Sequence, residues 1–221
     1  MTVLVIAPHP DDEVLGCGAI MAKRAAAGEE VLVCIVTEGK EPMYSAQFIR
    51  NEYNEMIAAH RSLGVAHTIM LRLPSAKLDT IPQHEINDVL SEVIDMVEPD
   101  EVFIPHAGDM HKDHRIVAEA AMVALRPNKD HKVSRILAYE TMSETDWNIP
   151  NQNNTFFPNV FEDVGDFLYE KLVACSLYES QMGEFPSPRS DTALTALSEH
   201  RGAMVGAEHA EAFMLIREVA E

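Results

Sequence analysis

The chain has 221 residues and carries 17 Lys and Arg against 36 Asp and Glu, a net charge of −19 at pH 7. A surface so acidic repels phosphate backbones and anionic lipid, which excludes nucleic acid and membrane surfaces as partners, and no run of about 18 apolar residues exists to cross a bilayer. The start, Met1-Thr2-Val3-Leu4, lacks a basic leader, and the three scattered cysteines Cys17, Cys34 and Cys175 suit reduced thiols, so a cytoplasmic location is expected.

In chain order, strand and helix signals alternate. Thr2 to Ala7 is a short β-branched run. Leu15 to Ala27 carries apolar residues at helical spacing and ends at Gly28. Val31 to Thr37 is nearly all apolar, as suits a strand covered on both faces, and a loop follows from Glu38 to Tyr44. Ala46 to Leu63 reads as a helix with Gly64 as its C-cap signal, and Thr68 to Leu73 as a strand stopped by Pro74. Gln83 to Val97 is helical, Glu101 to Ile104 a strand, His114 to Leu125 helical, and Arg135 to Glu140 a strand. Such alternation predicts right-handed βαβ units. The resulting fold class is α/β, a mostly parallel sheet flanked by helices on both faces in three layers. Ser143 to Pro158 is polar, Asn-rich and holds the single Trp147; it reads as a long loop near the site. Asp166 to Gln181 and Ser190 to Val205 read as helices joined by a Pro-rich link at Phe185 to Pro188, and Ala212 to Ile216 as a last strand.

Two strand ends concentrate the chemistry. The first strand runs into Pro8-His9-Pro10-Asp11-Asp12-Glu13, one imidazole and adjacent carboxylates where an α/β sheet opens into its crevice. The prolines stiffen the loop. Adjacent aspartates diverge, so one can ligate a metal while the other faces the attacking water; helix capping by the same acids can coexist with that. A catalytic zinc site usually has three protein ligands and an open position, so a further ligand must come from elsewhere. The strand from Glu101 to Ile104 ends in Pro105-His106-Ala107-Gly108-Asp109-Met110-His111-Lys112-Asp113-His114, which offers three histidines and two aspartates. Cys17 lies near the first motif but is better read as a small residue packed at a helix start.

His9-Pro10-Asp11-Asp12-Glu13 with Leu15-Gly16-Cys17-Gly18, followed by Asp109-x-His111-x-Asp113-His114, resembles the LmbE-like family, which includes the PIG-L type N-acetylglucosamine deacetylases. Thr37-x-Gly39, Glu55, Leu63-Gly64-Val65, Tyr178-x-Ser180-Gln181, Arg201-Gly202 and Ala210-Glu211-x-Phe213 extend the likeness over most of the chain, read as one domain from 1 to 221. The resemblance implies a Rossmann-like sheet and zinc-dependent removal of an acetyl group from an amino sugar or its conjugate. It implies that His9, Asp12 and His114 hold zinc and that Asp11 is the general base. It further implies that His111, with Asp113 holding its imidazole, stabilises the oxyanion as an imidazolium or protonates the leaving amine. Fe²⁺ or Co²⁺ could serve the same ligands. Some members place a tyrosine two residues before the catalytic histidine, where this chain has Asp109. Arg50 is the candidate for a substrate-binding arginine that precedes the Leu-Gly helix end; an exposed, solvated arginine is the competing reading. A small-molecule substrate and a homo-oligomer, commonly a hexamer, are also implied. The rival readings are a zinc amidase on another acyl-amine and a non-catalytic sugar- or nucleotide-binding module. A dinucleotide dehydrogenase is disfavoured because no G-x-G-x-x-G follows the first strand.

Overall fold

The computed structural model describes residues 1–127 and 133–220. Among these described residues, seven strands form one sheet in the order β3-β2-β1-β4-β5-β7-β6. They are β1 (Thr2–Ala7), β2 (Glu30–Glu38), β3 (His67–Pro74), β4 (Glu101–Pro105), β5 (Arg135–Tyr139), β6 (Val160–Asp163) and β7 (Ala210–Glu218). The helices are α1 (Asp12–Ala26), α2 (Ala46–Leu63), α3 (Gln83–Val97), α4 (Lys112–Ala124), α5 (Leu168–Ser176) and α6 (Asp191–Ala203). The first five strands pair in parallel, while β7 runs antiparallel to β5 and to β6. This is the three-layer α/β/α arrangement expected.

The core follows from strand periodicity. In β1, Val3, Val5 and Ala7 face one apolar layer with α1, α2 and α5; Leu4 and Ile6 face the other with α3 and α4. Both faces are covered, so strands such as β2 are apolar throughout rather than alternating. Gly16 lets α1 lie close on the sheet, since a Cβ there would overlap the Tyr139 ring. Tyr139 in turn donates its hydroxyl to the carbonyl of Ile6 at 3.0 Å. Cys17 is buried in this packing, as its small size suggested.

Helix ends follow local chemistry. The Ser45 hydroxyl accepts the Phe48 amide at 3.1 Å, and Gly64 adopts φ 76° at the C-terminus of α2, where a residue with a Cβ would be strained. α1 begins at Asp12, three residues earlier than periodicity indicated, because its first turn is built from acids that suit the positive end of the helix. The helix expected over 166–181 is shorter. A 3₁₀ turn spans Gly165–Phe167, and α5 ends at Ser176, after which the Tyr178 hydroxyl turns inward to the Glu13 carboxylate. β6, a four-residue edge strand, was not expected; it pairs with β7 and carries no long apolar run.

β1 leads to β2 and β3 on one side, whereas β4 lies on its other side, with Val5 opposite Phe103. The chain therefore reverses strand order between β1 and β4, and the loops after these strands open a crevice at their carboxyl ends.

Candidate active site

Both motif loops leave the sheet at that crevice. His9 through Asp11 connect β1 to α1; His106 through His111 connect β4 to α4. Thr37 of β2 fixes the first loop by donating its amide (3.0 Å) and hydroxyl (2.8 Å) to the carbonyl of Pro8. The two loops meet. Asp12 Oδ2 lies 3.2 Å from His9 Nδ1 and 3.1 Å from His114 Nε2, although the histidines are a hundred residues apart in sequence. Ring nitrogens, one each from His9, His111 and His114, lie within 4.8 Å of one another.

Each of the imidazoles beside Asp12 is held from behind by a second carboxylate. His9 Nε2 is 3.2 Å from Asp113 Oδ2, and His114 Nδ1 is 2.9 Å from Asp109 Oδ2. Asp109 also accepts from the Thr145 hydroxyl at 2.6 Å, and Asp113 from the amides of Ala76 (2.7 Å) and Leu78 (3.2 Å). Such backing carboxylates orient metal-ligating histidines and fix their tautomers. Asp113 was expected to hold His111. Its carboxylate instead turns to His9, because the Ala76 and Leu78 amides pull it toward the β3 side; its link to His111 is its own amide, donated to Nδ1 at 3.1 Å.

Charges follow from these contacts. Burial disfavours the charged form of His9, but Asp113 and Asp12 outweigh it and raise the imidazole to about 9. Burial is likewise outweighed at His114, where Asp12 and Asp109 raise the group to about 10. Asp12, also buried, is pulled well below the carboxylate range by His114 and His9. His111 goes the other way: burial, then His9 and His114, lower it to about 4. Burial and the neighbouring imidazoles thus disfavour the imidazolium expected at His111. With Nδ1 accepting the Asp113 amide, its proton sits on Nε2.

Asp11 is the strained member of the cluster. It has φ 111°, a region that residues with a Cβ rarely adopt, and it is buried. Its amide donates to Glu13 Oε2 at 3.1 Å, and Glu13 is anchored by His60 Nε2 at 3.1 Å and by Tyr178. Its own carboxylate accepts Arg189 Nη1 at 2.6 Å. Burial raises Asp11 well above its ordinary range, against the pull of Arg189 and with Asp12 and Glu13 adding to the rise.

Arg189 follows the Pro-rich link and was not singled out from sequence; an arginine beside prolines gives no local signal. It also donates to the Ser143 hydroxyl at 3.1 Å and lies 4.0 Å from Glu144. The long loop thus reaches the site through Ser143, Glu144 and Thr145, whereas Trp147 is exposed. His106 takes no part. It is buried against Phe156 and bonded to the carbonyl of Asn154 at 3.1 Å, pinning the loop. Arg50 stands on the exposed side of α2, bonded to Gln47 at 2.9 Å, and does not line the cleft. Helical spacing decides this: Phe48 and Glu52, two residues to either side, face inward instead.

The later sequence matches are struts. Glu55 accepts the Ser180 hydroxyl at 2.7 Å, Arg201 grips Glu140 at 2.6 and 2.8 Å, and Glu211 binds Lys171 at 2.6 Å.

Residues 4–125 match the family model described as PIG-L, GlcNAc-PI de-N-acetylase. An uncharacterized deacetylase of Escherichia coli, YaiS, is 32% identical over 187 residues, covering 80% of this chain and 90% of that protein. Diacetylchitobiose deacetylase of Thermococcus kodakarensis is 25% identical over 236 residues, covering 97% of this chain and 82% of that one. Among solved structures, a conserved protein of Thermus thermophilus superposes with a TM-score of 0.81 at 27% identity, covering 99% of this chain and 96% of that one.

Proposed function

The chain belongs to the PIG-L family and is a hydrolytic N-deacetylase; from that premise we propose that it removes the acetyl group of an N-acetylated amino sugar, or of a conjugate of one, with the help of a divalent cation. The observation that carries the reading is the Asp12 carboxylate between two imidazoles, each backed by a further carboxylate, beside the strained Asp11. Donors bound to zinc at about 2.0–2.1 Å in tetrahedral geometry stand about 3.3 Å apart. The 3.1 and 3.2 Å separations around Asp12 fit such a group. His9, Asp12 and His114 would hold the cation, and zinc suits this nitrogen and oxygen set.

When bound, the cation supplies a Lewis acid for the amide carbonyl and a lowered pKa for water. The rest falls to side chains. Asp11, aimed into the cleft by its strained backbone and held by Arg189, accepts the proton of the attacking water. The water oxygen bonds to the acetyl carbon. Negative charge grows on the carbonyl oxygen, and the Nε2–H of His111 is placed to meet it in a partly buried cleft. As the C–N bond breaks, the nitrogen needs a proton to leave as an amine, and Asp11 returns the one it took. Acetate and the free amino sugar are the products. A single domain spanning 1–221 suits this reading, because Arg189 lies well beyond the segment that carries the two motifs.

Acetate release by metal-loaded protein tests the proposal, with N-acetylglucosamine glycosides and conjugates as substrates and metal content measured on the same sample. Release that requires the metal and fails in Asp11→Asn is expected. A broad panel with no release, from protein that holds stoichiometric metal, would overturn it and favour the binding-module reading.

A further inference from the structure

Part of the cleft wall comes from α2 and the loop before it. Tyr44 and Phe48 stack there with ring centroids 5.5 Å apart and planes 23° from parallel. One helical turn beyond Phe48, Glu52 faces the same cleft. Its carboxylate is half-buried and makes no hydrogen bond or ion pair among the described residues. Burial raises it to about 7, against the pull of His9. A polar group left part-desolvated and unpaired in a cleft is suited to a donor from a ligand.

The guanidinium that lines the cleft is already engaged. Arg189 is the one Lys or Arg among the described lining residues, and it is bonded to Asp11 and Ser143. Lys40, next to the lining residue Gly39, and Arg72 of β3 both pair with Glu38. Glu144 adds a further carboxylate to the lining. On this wall a phosphate or carboxylate would meet the Glu52 and Glu144 carboxylates, with the lining guanidinium of Arg189 already bonded to Asp11.

Resting on the deacetylase reading above, we infer that Glu52 is a specificity-determining residue. It binds a hydroxyl or amino group of the substrate beside the Tyr44–Phe48 ring face, so the enzyme selects amino-sugar substrates whose attached group is uncharged or cationic over those whose attached group is anionic. The aromatic pair offers an apolar face to a sugar ring, and the carboxylate accepts from its polar edge.

The test uses three glycosides of N-acetylglucosamine with attached groups of similar size: propyl, 2-aminoethyl and carboxymethyl. Metal-loaded wild type is expected to show kcat/KM for the first two at least about tenfold above the third, the scale of one charge-assisted hydrogen bond gained or one repulsion avoided. Glu52→Lys should cut the aminoethyl-to-carboxymethyl ratio by about tenfold or more. Glu85→Lys, the same charge change at an exposed position of α3, should leave the ratio unchanged. Should Glu52→Lys fail to fold, Glu52→Gln is expected to raise KM for the aminoethyl glycoside more than it lowers kcat. Equal or preferred turnover of the carboxymethyl glycoside overturns the inference and leaves the deacetylase reading standing. A ratio unmoved by either Glu52 variant also overturns it. No acetate from any of the three overturns both.

Discussion

Two clusters of buried charge lie against α1, and they differ in kind. On the flank of the helix, Lys171 Nζ bonds Glu211 at 2.6 Å and the carbonyl of Leu15 at 2.7 Å, while Glu211 also accepts the amides of Ala19 and Ile20 at 3.1 and 2.7 Å. Burial works against the charge of Lys171, yet Glu211 outweighs it and raises the group above its ordinary value. This pair is fully engaged and ties β7 and α5 to the helix. At the N-terminus of α1 the arrangement is the reverse. Asp11 is strained, Asp11 and Asp12 are driven in opposite directions, and burial with the neighbouring His9 and His114 lowers His111. Burial of charge alone does not mark a site. Divergent pKa values and backbone strain facing a cleft do.

Substitutions can break this contrast, and the largest effect is expected at the strained end. His114→Ala should lose the metal and with it measurable turnover. Asp11→Asn should keep the metal but lose activity by about 10³-fold or more, the scale of a general base in its transition state. Metal analysis beside acetate release separates the two, and full turnover by Asp11→Asn would remove the base.

Next comes the strut. Lys171→Met leaves the Glu211 carboxylate buried without its cation, bonded only to the Ala19 and Ile20 amides, which costs about 3–5 kcal/mol of folding stability, while metal content per folded molecule stays at wild-type level. Urea unfolding measures it; a loss below about 1 kcal/mol would show that the pair is not the strut its bonding indicates.

His111→Ala should fold, retain metal and lose about 10²–10³ in kcat, the cost of one oxyanion donor, with KM little changed. An unchanged kcat would dismiss its role.

The smallest effect is expected at Arg189. Its guanidinium favours the charged form of Asp11, so Arg189→Gln raises that carboxyl further. Activity that needs the ionised base is then lost at a higher pH on acidification. The acid limb of the kcat/KM profile should move up by about one pH unit, with less than about tenfold loss at the optimum. A limb that stays in place would mean Arg189 does not set the charge of Asp11.

Much of this was legible in the residues. α2 and α3 have their expected bounds because Ser45 and Gly64, and the prolines at 82 and 99, punctuate clean helical periods. β1, β2 and β4 read as buried strands because they are apolar on both faces. Less legible were the elements that depend on partners. β6 and the antiparallel pairing of β7 needed the sheet edge, and the end of α5 was set by Tyr178 reaching Glu13. At the site, His9, Asp11, Asp12, His111, Asp113 and His114 were visible as motif residues. Which carboxylate backs which imidazole was not, since Asp113 lies two residues from His111 yet bonds His9 across the crevice.

What the sequence determined by itself was local. Proline, glycine and cap residues punctuate the elements, apolar period assigns them, and dense runs of His and Asp mark two strand ends. Tertiary structure decided the rest. The reversal of strand order between β1 and β4 brings those ends together, and it carries Arg189 to Asp11 and Glu52 to the cleft wall from segments with no motif of their own. The physical reason is that propensity acts over a few residues, whereas the pairing of buried charges depends on which elements the sheet makes neighbours.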